Sequence, residues 1–262
     1  MHSLKEIIMK MTRLTALVCC LVMLCLCFAS CVTPGGTDQL QTDRYVATVT
    51  TKLATNDAKM KDVVLAAGAP VTTVMVDGDN LKIASEAKIN DISMNNGYVY
   101  VDGVLYHSKQ IAVSDKSVSS YTKADMSADQ SKTLISSVGS GADISRSDFA
   151  AMDKITSGNT ESYSCSMITD EARLSLCSVF ADKLAISSAS VTLEDVTYSE
   201  DYTDGRISSS VLSCNFIINM DGVEYSVTMH TYYSYDYNAE VSISAPADAD
   251  KYNKVSIDEI LK

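Results

Sequence analysis

The chain predicts an α+β fold: one long, curved antiparallel sheet with helices packed on its concave face. Three observations carry this expectation. Apolar and polar residues alternate with period two through both halves of the chain. Asp-Gly pairs punctuate the alternating runs at hairpin positions. Helical spacing is confined to the middle, so strands come first, then helices, then strands again.

In the N-terminal half, Tyr45, Ala47, Val49, Thr51 and Leu53 share one face of a first strand. Val74 and Val76 meet Leu81 and Ile83 across the turn Asp77-Gly78-Asp79-Asn80. The run at 98–101 turns at Asp102-Gly103, which pairs Val101 with Val104, Tyr100 with Leu105, Val99 with Tyr106 and Tyr98 with His107. This hairpin is apolar on both faces, so its outer side is expected to be covered.

Three helices are expected in the middle, at residues 127–137, 148–155 and 169–184. The last is the best marked. Thr169 is a suitable N-cap, Asp170 and Glu171 fill the first turn, and Lys183 sits in the last. Ala172, Leu176, Val179 and Phe180 form its apolar stripe, widened by Cys177 and Leu184. Residues 115–143 are Ser-rich and polar, and outside the helix at 127–137 they read as exposed connection.

The C-terminal half has the clearest pattern. Leu212, Cys214, Phe216, Ile218 and Met220 alternate with polar neighbours up to Asp221-Gly222; Val223, Tyr225, Val227 and Met229 then alternate on the way back. A two-residue turn pairs Met220 with Val223, Ile218 with Tyr225, Phe216 with Val227 and Cys214 with Met229. A slip of one residue would destroy every apolar match. A further strand is expected over 235–243, where Tyr235, Tyr237, Ala239, Val241 and Ile243 alternate, and another over Ala189, Val191 and Leu193.

The 262 residues carry 21 Lys+Arg and 33 Asp+Glu, a net charge of −12. That balance argues against nucleic acid and against docking on anionic lipid through a basic patch. The length suits one large domain or two small ones.

Lys5, Lys10 and Arg13 precede an uncharged run of residues 14–29. The run is too short to span a bilayer, which takes about 20 apolar residues. It ends in small residues, so 1–30 reads as a signal peptide. Phe28-Ala29-Ser30-Cys31 resembles the bacterial lipobox, with Phe28 where the pattern usually has Leu. The resemblance implies cleavage after Ser30 and a diacylglycerol on Cys31, anchoring the protein outside the cytoplasm to the cell membrane. An ordinary secretory signal with an incidental Cys is the alternative. Residues 31–42 then form a flexible tether containing Pro34, Gly35 and Gly36. Beyond Cys31 only Cys165, Cys177 and Cys214 remain. They lack zinc-ligand spacing and read as buried thiols, with a Cys165–Cys214 bridge as the alternative.

The lipobox, the acidic domain, the Asp-Gly meanders, the central helices and the closing segment from Tyr235 to Val241 occur together. Residues 100–107, YVDGVLYH, form a mid-chain hairpin. This layout resembles small Gram-positive lipoproteins of the LolA/LolB and LprG-type lipoprotein-carrier superfamily, over residues 43–246, with 247–262 as a C-terminal tail. The resemblance implies an open half-barrel closed by helices, holding acyl chains or lipidated partners in its hollow. Leu212, Phe216, Ile218, Met220, Tyr225, Val227, Met229, Leu176 and Phe180 would line it; the same residues could equally be a dry core under helix 169–184.

Catalytic and metal sites are not expected. His107 and His230 lack ligand-spaced partners, no HExxH or GxSxG occurs, and Gly139-Ser140-Gly141 follows no clear strand. Glu194-Asp195 and Glu200-Asp201 read as a solvated strand end beside Tyr198, Tyr202 and the turn Asp204-Gly205. No cofactor is expected. Tyr232, Tyr233, Tyr235 and Tyr237 cluster at one place, where they could stack on a sugar or a partner protein, or simply cover the sheet end. Two functions follow: non-catalytic binding of a lipid or lipidated, hydrophobic ligand in a hollow, or a cell-surface interaction module that binds protein or glycan through an exposed face.

Overall fold

A computed structural model describes residues 44–58, 61, 71–89, 91–113, 116–127, 129–130, 148–149, 152–184, 187–220 and 222–260. The signal peptide, Cys31, the tether at 31–42, nearly all of the helix expected at 127–137 and Gly139-Ser140-Gly141 lie outside the described residues.

The fold is mostly β. Among the described residues twelve strands form one open sheet: β1 (Arg44–Ala54), β2 (Val71–Asp77), β3 (Asn80–Ile89), β4 (Ile92–Val101), β5 (Val104–Val113), β6 (Lys116–Asp125), β7 (Asp153–Ser157), β8 (Thr160–Cys165), β9 (Val191–Thr203), β10 (Arg206–Met220), β11 (Val223–Asp236) and β12 (Asn253–Lys254). Their order across the sheet is β12-β6-β5-β4-β3-β2-β1-β11-β10-β9-β8-β7. Every neighbouring pair is antiparallel except β12 with β6. The first six strands form a meander that runs outward from β1. The chain then crosses to the far edge, and β7 to β11 run back to pair β11 with β1.

The α+β expectation is corrected accordingly. Among the described residues the substantial helix is α1 (Asp170–Leu184), joined by the single turn α2 (Ile257–Ile260). Local β signals outnumber helical ones, and the sheet supplies most of the core. Thr169 caps α1 as expected: its Oγ1 accepts from the Ala172 amide at 3.3 Å, and its carbonyl from the Arg173 amide at 3.0 Å.

The expected hairpin registers hold. Phe216 pairs with Val227, Cys214 with Met229, Val99 with Tyr106, and Val76 with Leu81. The β4–β5 and β9–β10 turns need left-handed backbone at both central positions, which Asp102 (φ 51) with Gly103 (φ 78), and Asp204 (φ 52) with Gly205 (φ 76), supply.

Three boundaries differ from the sequence expectation. Residues 116–125 are a strand rather than connection: β6 takes its ladder from β5, from Val113 opposite Lys116 to Val104 opposite Asp125, despite its polar exposed side chains. Residues 153–157 are edge strand β7 rather than helix, turned into β8 at Gly158 (φ 61). The strand expected over 235–243 is the end of β11, which stops at Asp236. There the Asp236 carboxylate accepts from the Asn238 amide at 2.9 Å, an Asx turn that leads the chain off the sheet.

One face of the sheet carries two apolar clusters. The first gathers Val49, Cys165, Tyr198, Leu212, Cys214, Phe216, Ile218, Val227 and Met229 under Ala172, Leu176, Phe180 and Ala181 of α1. The second gathers Tyr45, Ala47, Val76, Leu81, Ile83, Tyr100 and Leu105 with Met126 and Ile260 of α2. We call this the helix face. The C-terminal segment wraps the β6 edge. Tyr252 packs edge-on against Tyr106 at 5.4 Å and Tyr121 at 5.3 Å on the opposite face, which covers the outer side of the β4–β5 hairpin.

Candidate functional site

Eight of the nine residues singled out as a ligand lining are brought to one place. Leu212, Phe216, Ile218, Val227, Met229, Leu176 and Phe180 are all buried in the first cluster, with Tyr225 packed at its margin. The Met220 side chain lies outside the described residues. Phe180 and Phe216 stack with centroids 4.0 Å apart. These side chains pack between α1 and the sheet. The guanidinium of Arg173 ties the helix down by donating to the Leu193 carbonyl.

Cys165, Cys177 and Cys214 belong to the same cluster as buried thiols, with no disulfide among the three. Burial pushes the Cys177 thiol up, and pushes the Cys214 thiol up strongly, with Cys177 beside it adding to the effect. Neither Cys177 nor Cys214 is an activated thiolate.

Strand alternation divides the acidic pair at 200–201. Glu200 was expected to be solvated, yet it is 0% exposed on the helix face. Its two oxygens accept from the hydroxyls of Tyr198 at 2.6 Å and Tyr202 at 2.9 Å, residues two before and two after it. Burial raises the Tyr198 hydroxyl well above the usual tyrosine range, and the adjacent Glu200 charge adds to it. Opposite Glu200 on β10, Ser210 is buried with no partner for Oγ among the described residues. Asp201 points the other way, where its carboxylate accepts from Ser162 at 2.7 Å and Ser209 at 2.9 Å.

The same alternation splits the tyrosine cluster. Tyr233, Tyr235 and Tyr237 turn to the helix face, where Tyr235 and Tyr237 lie 6.3 and 6.2 Å from Tyr45. Burial, then the neighbouring Tyr237, pushes Tyr45 up to about 12. Tyr232 alone turns to the opposite face and is 39% exposed.

On that outer face, three polar residues form one row across adjacent strands. Ser213 of β10 is opposite His230 of β11, which is opposite Lys52 of β1. Ser213 Oγ lies 2.6 Å from His230 Nδ1. The Lys52 ammonium sits over the Tyr232 ring, 5.4 Å from its centroid, and the His230 ring is 6.3 Å from that of Tyr232. The sequence reading found neither this row nor the burial of Glu200. The signal for the row was the register itself: if Cys214 faces Met229, Ser213 must face His230. His107, the other histidine of the described residues, faces the helix side, stacked on Tyr98 at 4.5 Å with Nε2 2.8 Å from Asn96 Oδ1. Burial, helped by nearby Lys109, lowers its pKa. Among the described residues no three His, Cys, Asp or Glu side chains gather as a metal site.

No protein-family model and no curated protein matches the chain. Among solved structures, the crystal structure of the ywiB protein from Bacillus subtilis aligns with a TM-score of 0.21 and 8% sequence identity, covering 76% of this chain and 98% of that one. The fold itself is a large, open, largely antiparallel sheet, and no family is assigned to it.

Proposed function

We propose that this protein is a non-catalytic binding module, held outside the cytoplasm on the cell membrane through acylated Cys31, that engages its ligand with the outer face of the sheet. The observation that carries the reading is the contrast between the two faces. On the helix face the apolar side chains are packed against one another, so an acyl chain would replace contacts already made rather than remove apolar surface from water. On the outer face Tyr232 is exposed beside Lys52 and His230, with no described element covering it. An exposed aromatic ringed by donors is a recurrent way to hold a ligand, since it offers a large rigid area and polar contacts together.

Hydroxyl-radical footprinting tests this reading. The full-length protein is labelled in its native envelope and again after purification in detergent. Oxidation of Tyr232 and His230 is expected to be suppressed in the envelope, while Tyr163 and Tyr121, on other parts of the sheet, label equally. Equal labelling of Tyr232 in both settings overturns the reading.

A further inference from the structure

Building on the outer-face reading, we infer that the ligand is an acidic glycan, with a hexuronate residue stacked at Tyr232 and its carboxylate held by Lys52 and the Ser213–His230 pair.

The row supplies donors in either tautomer. If Ser213 donates to His230 Nδ1, the imidazole carries its proton on Nε2. If Nδ1 carries the proton and donates to Ser213 Oγ, the hydroxyl hydrogen is left to point outward. One donor is available each way, and Lys52 adds a full positive charge in the same row. The ion pairs of the described residues form elsewhere, at Arg44–Asp77, Lys154–Glu161, Lys251–Asp248 and Lys254–Asp125, so none of them neutralises Lys52.

The chain is acidic, which disfavours an anion at long range. A screening length of about 8 Å at physiological salt leaves the local charge to decide. On β9, Glu194 accepts from Asn215 at 3.0 Å and Asp201 from Ser162 and Ser209, while Asp195 stands opposite Asn215.

The aromatic neighbour selects the kind of anion. Tyr232 is two residues beyond His230 on the same face of β11, and Lys52 rests over its ring. The Lys52 ammonium, 5.4 Å from the Tyr232 ring centroid, keeps a cation beside an aromatic ring, and a hexuronate offers the complementary pair, a carboxylate one substituent away from a sugar ring. A bare phosphate chain has no ring to offer Tyr232, and a neutral sugar leaves the Lys52 charge without a counter-charge. The open sheet face also suits a polymer, which can lie across several strands.

Isothermal titration calorimetry of the full-length protein in detergent tests this, with a defined oligogalacturonate and a neutral malto-oligosaccharide of the same length as probes. The oligogalacturonate is expected to bind and the neutral sugar not to. Lys52→Ala and Tyr232→Ala are each expected to weaken binding about tenfold, whereas Tyr232→Phe retains it. Both truncations are at exposed positions, and an unchanged thermal midpoint verifies their folding. Absence of oligogalacturonate binding, equal binding of the neutral sugar, or binding indifferent to both truncations overturns the inference. If footprinting still shows Tyr232 protected in the envelope, the outer-face reading survives that failure; if protection is also absent, both fall.

Discussion

Phe180 of α1 and Phe216 of β10 stack with centroids 4.0 Å apart and planes inclined by 16°, both fully buried. This contact joins the helix to the sheet at the centre of the first cluster. Phe216→Ala removes a whole buried ring and is expected to cost about 3–5 kcal/mol, read as a lowered urea midpoint with unchanged slope. Phe216→Leu, which keeps most of the volume, should cost much less. A ligand-holding hollow would give the opposite pattern, with little loss of stability from either change.

The buried carboxylate makes a second prediction. Tyr198→Phe deletes the 2.6 Å donor to Glu200 and is expected to destabilise by about 1–3 kcal/mol, because a buried charge loses a hydrogen bond. Ser210→Ala removes a buried hydroxyl without a described partner and is expected to be neutral or slightly stabilising. Chemical denaturation of the two variants side by side makes the comparison.

Gly97 and Ser108 face each other across β4 and β5. A Cβ at Gly97 would meet Ser108 Oγ at 2.9 Å, and the Ser108 hydroxyl also bonds to Tyr252. Gly97→Ala is therefore expected to lower stability and loosen the C-terminal wrap. The double variant Gly97→Ala with Ser108→Ala relieves the contact and is expected to recover part of the loss, since the alanine then restricts only the unfolded chain. Thermal midpoints of the two singles and the double give the coupling.

The tyrosine cluster predicts alkaline sensitivity. Tyr45 ionises near 12 in the folded state, against about 10 when unfolded. The folded state thus binds the proton more tightly, and stability is full below pH 10. It is lost as pH rises from about 10 to about 12, at most by about 2–3 kcal/mol for this one group. Tyr45→Phe is expected to flatten that part of the pH–stability curve.

How much of this was readable from residues alone depended on whether the local pattern had one partner. The hairpin through Asp221-Gly222 was legible because alternation and turn chemistry fix each other, and every pair between Cys214–Met229 and Met220–Val223 follows. β6 was not, because Lys116–Ser120 has no apolar stripe and is a strand only through β5. Beyond Asp236 the opposite failure occurs: alternation continues in Tyr237, Ala239 and Val241, but no ladder remains for them. Glu200 was misjudged by reading Glu200-Asp201 as a sequence pair. Counted by twos, Tyr198, Glu200 and Tyr202 fall on one face and Asp201 on the other. The outer row Ser213–His230–Lys52 needed the β1–β11 pairing, which joins residues far apart in the chain.

The account turns on whether the space between α1 and the sheet is filled, and native mass spectrometry of the full-length protein released from detergent in the spectrometer tests it most directly. The account predicts one mass, that of the polypeptide with its covalent modification, unchanged after incubation with phospholipid. A stoichiometric, non-covalent lipid that organic solvent releases, and that Phe216→Ala changes in occupancy, would contradict it and return the helix face to the role of a lipid-binding hollow.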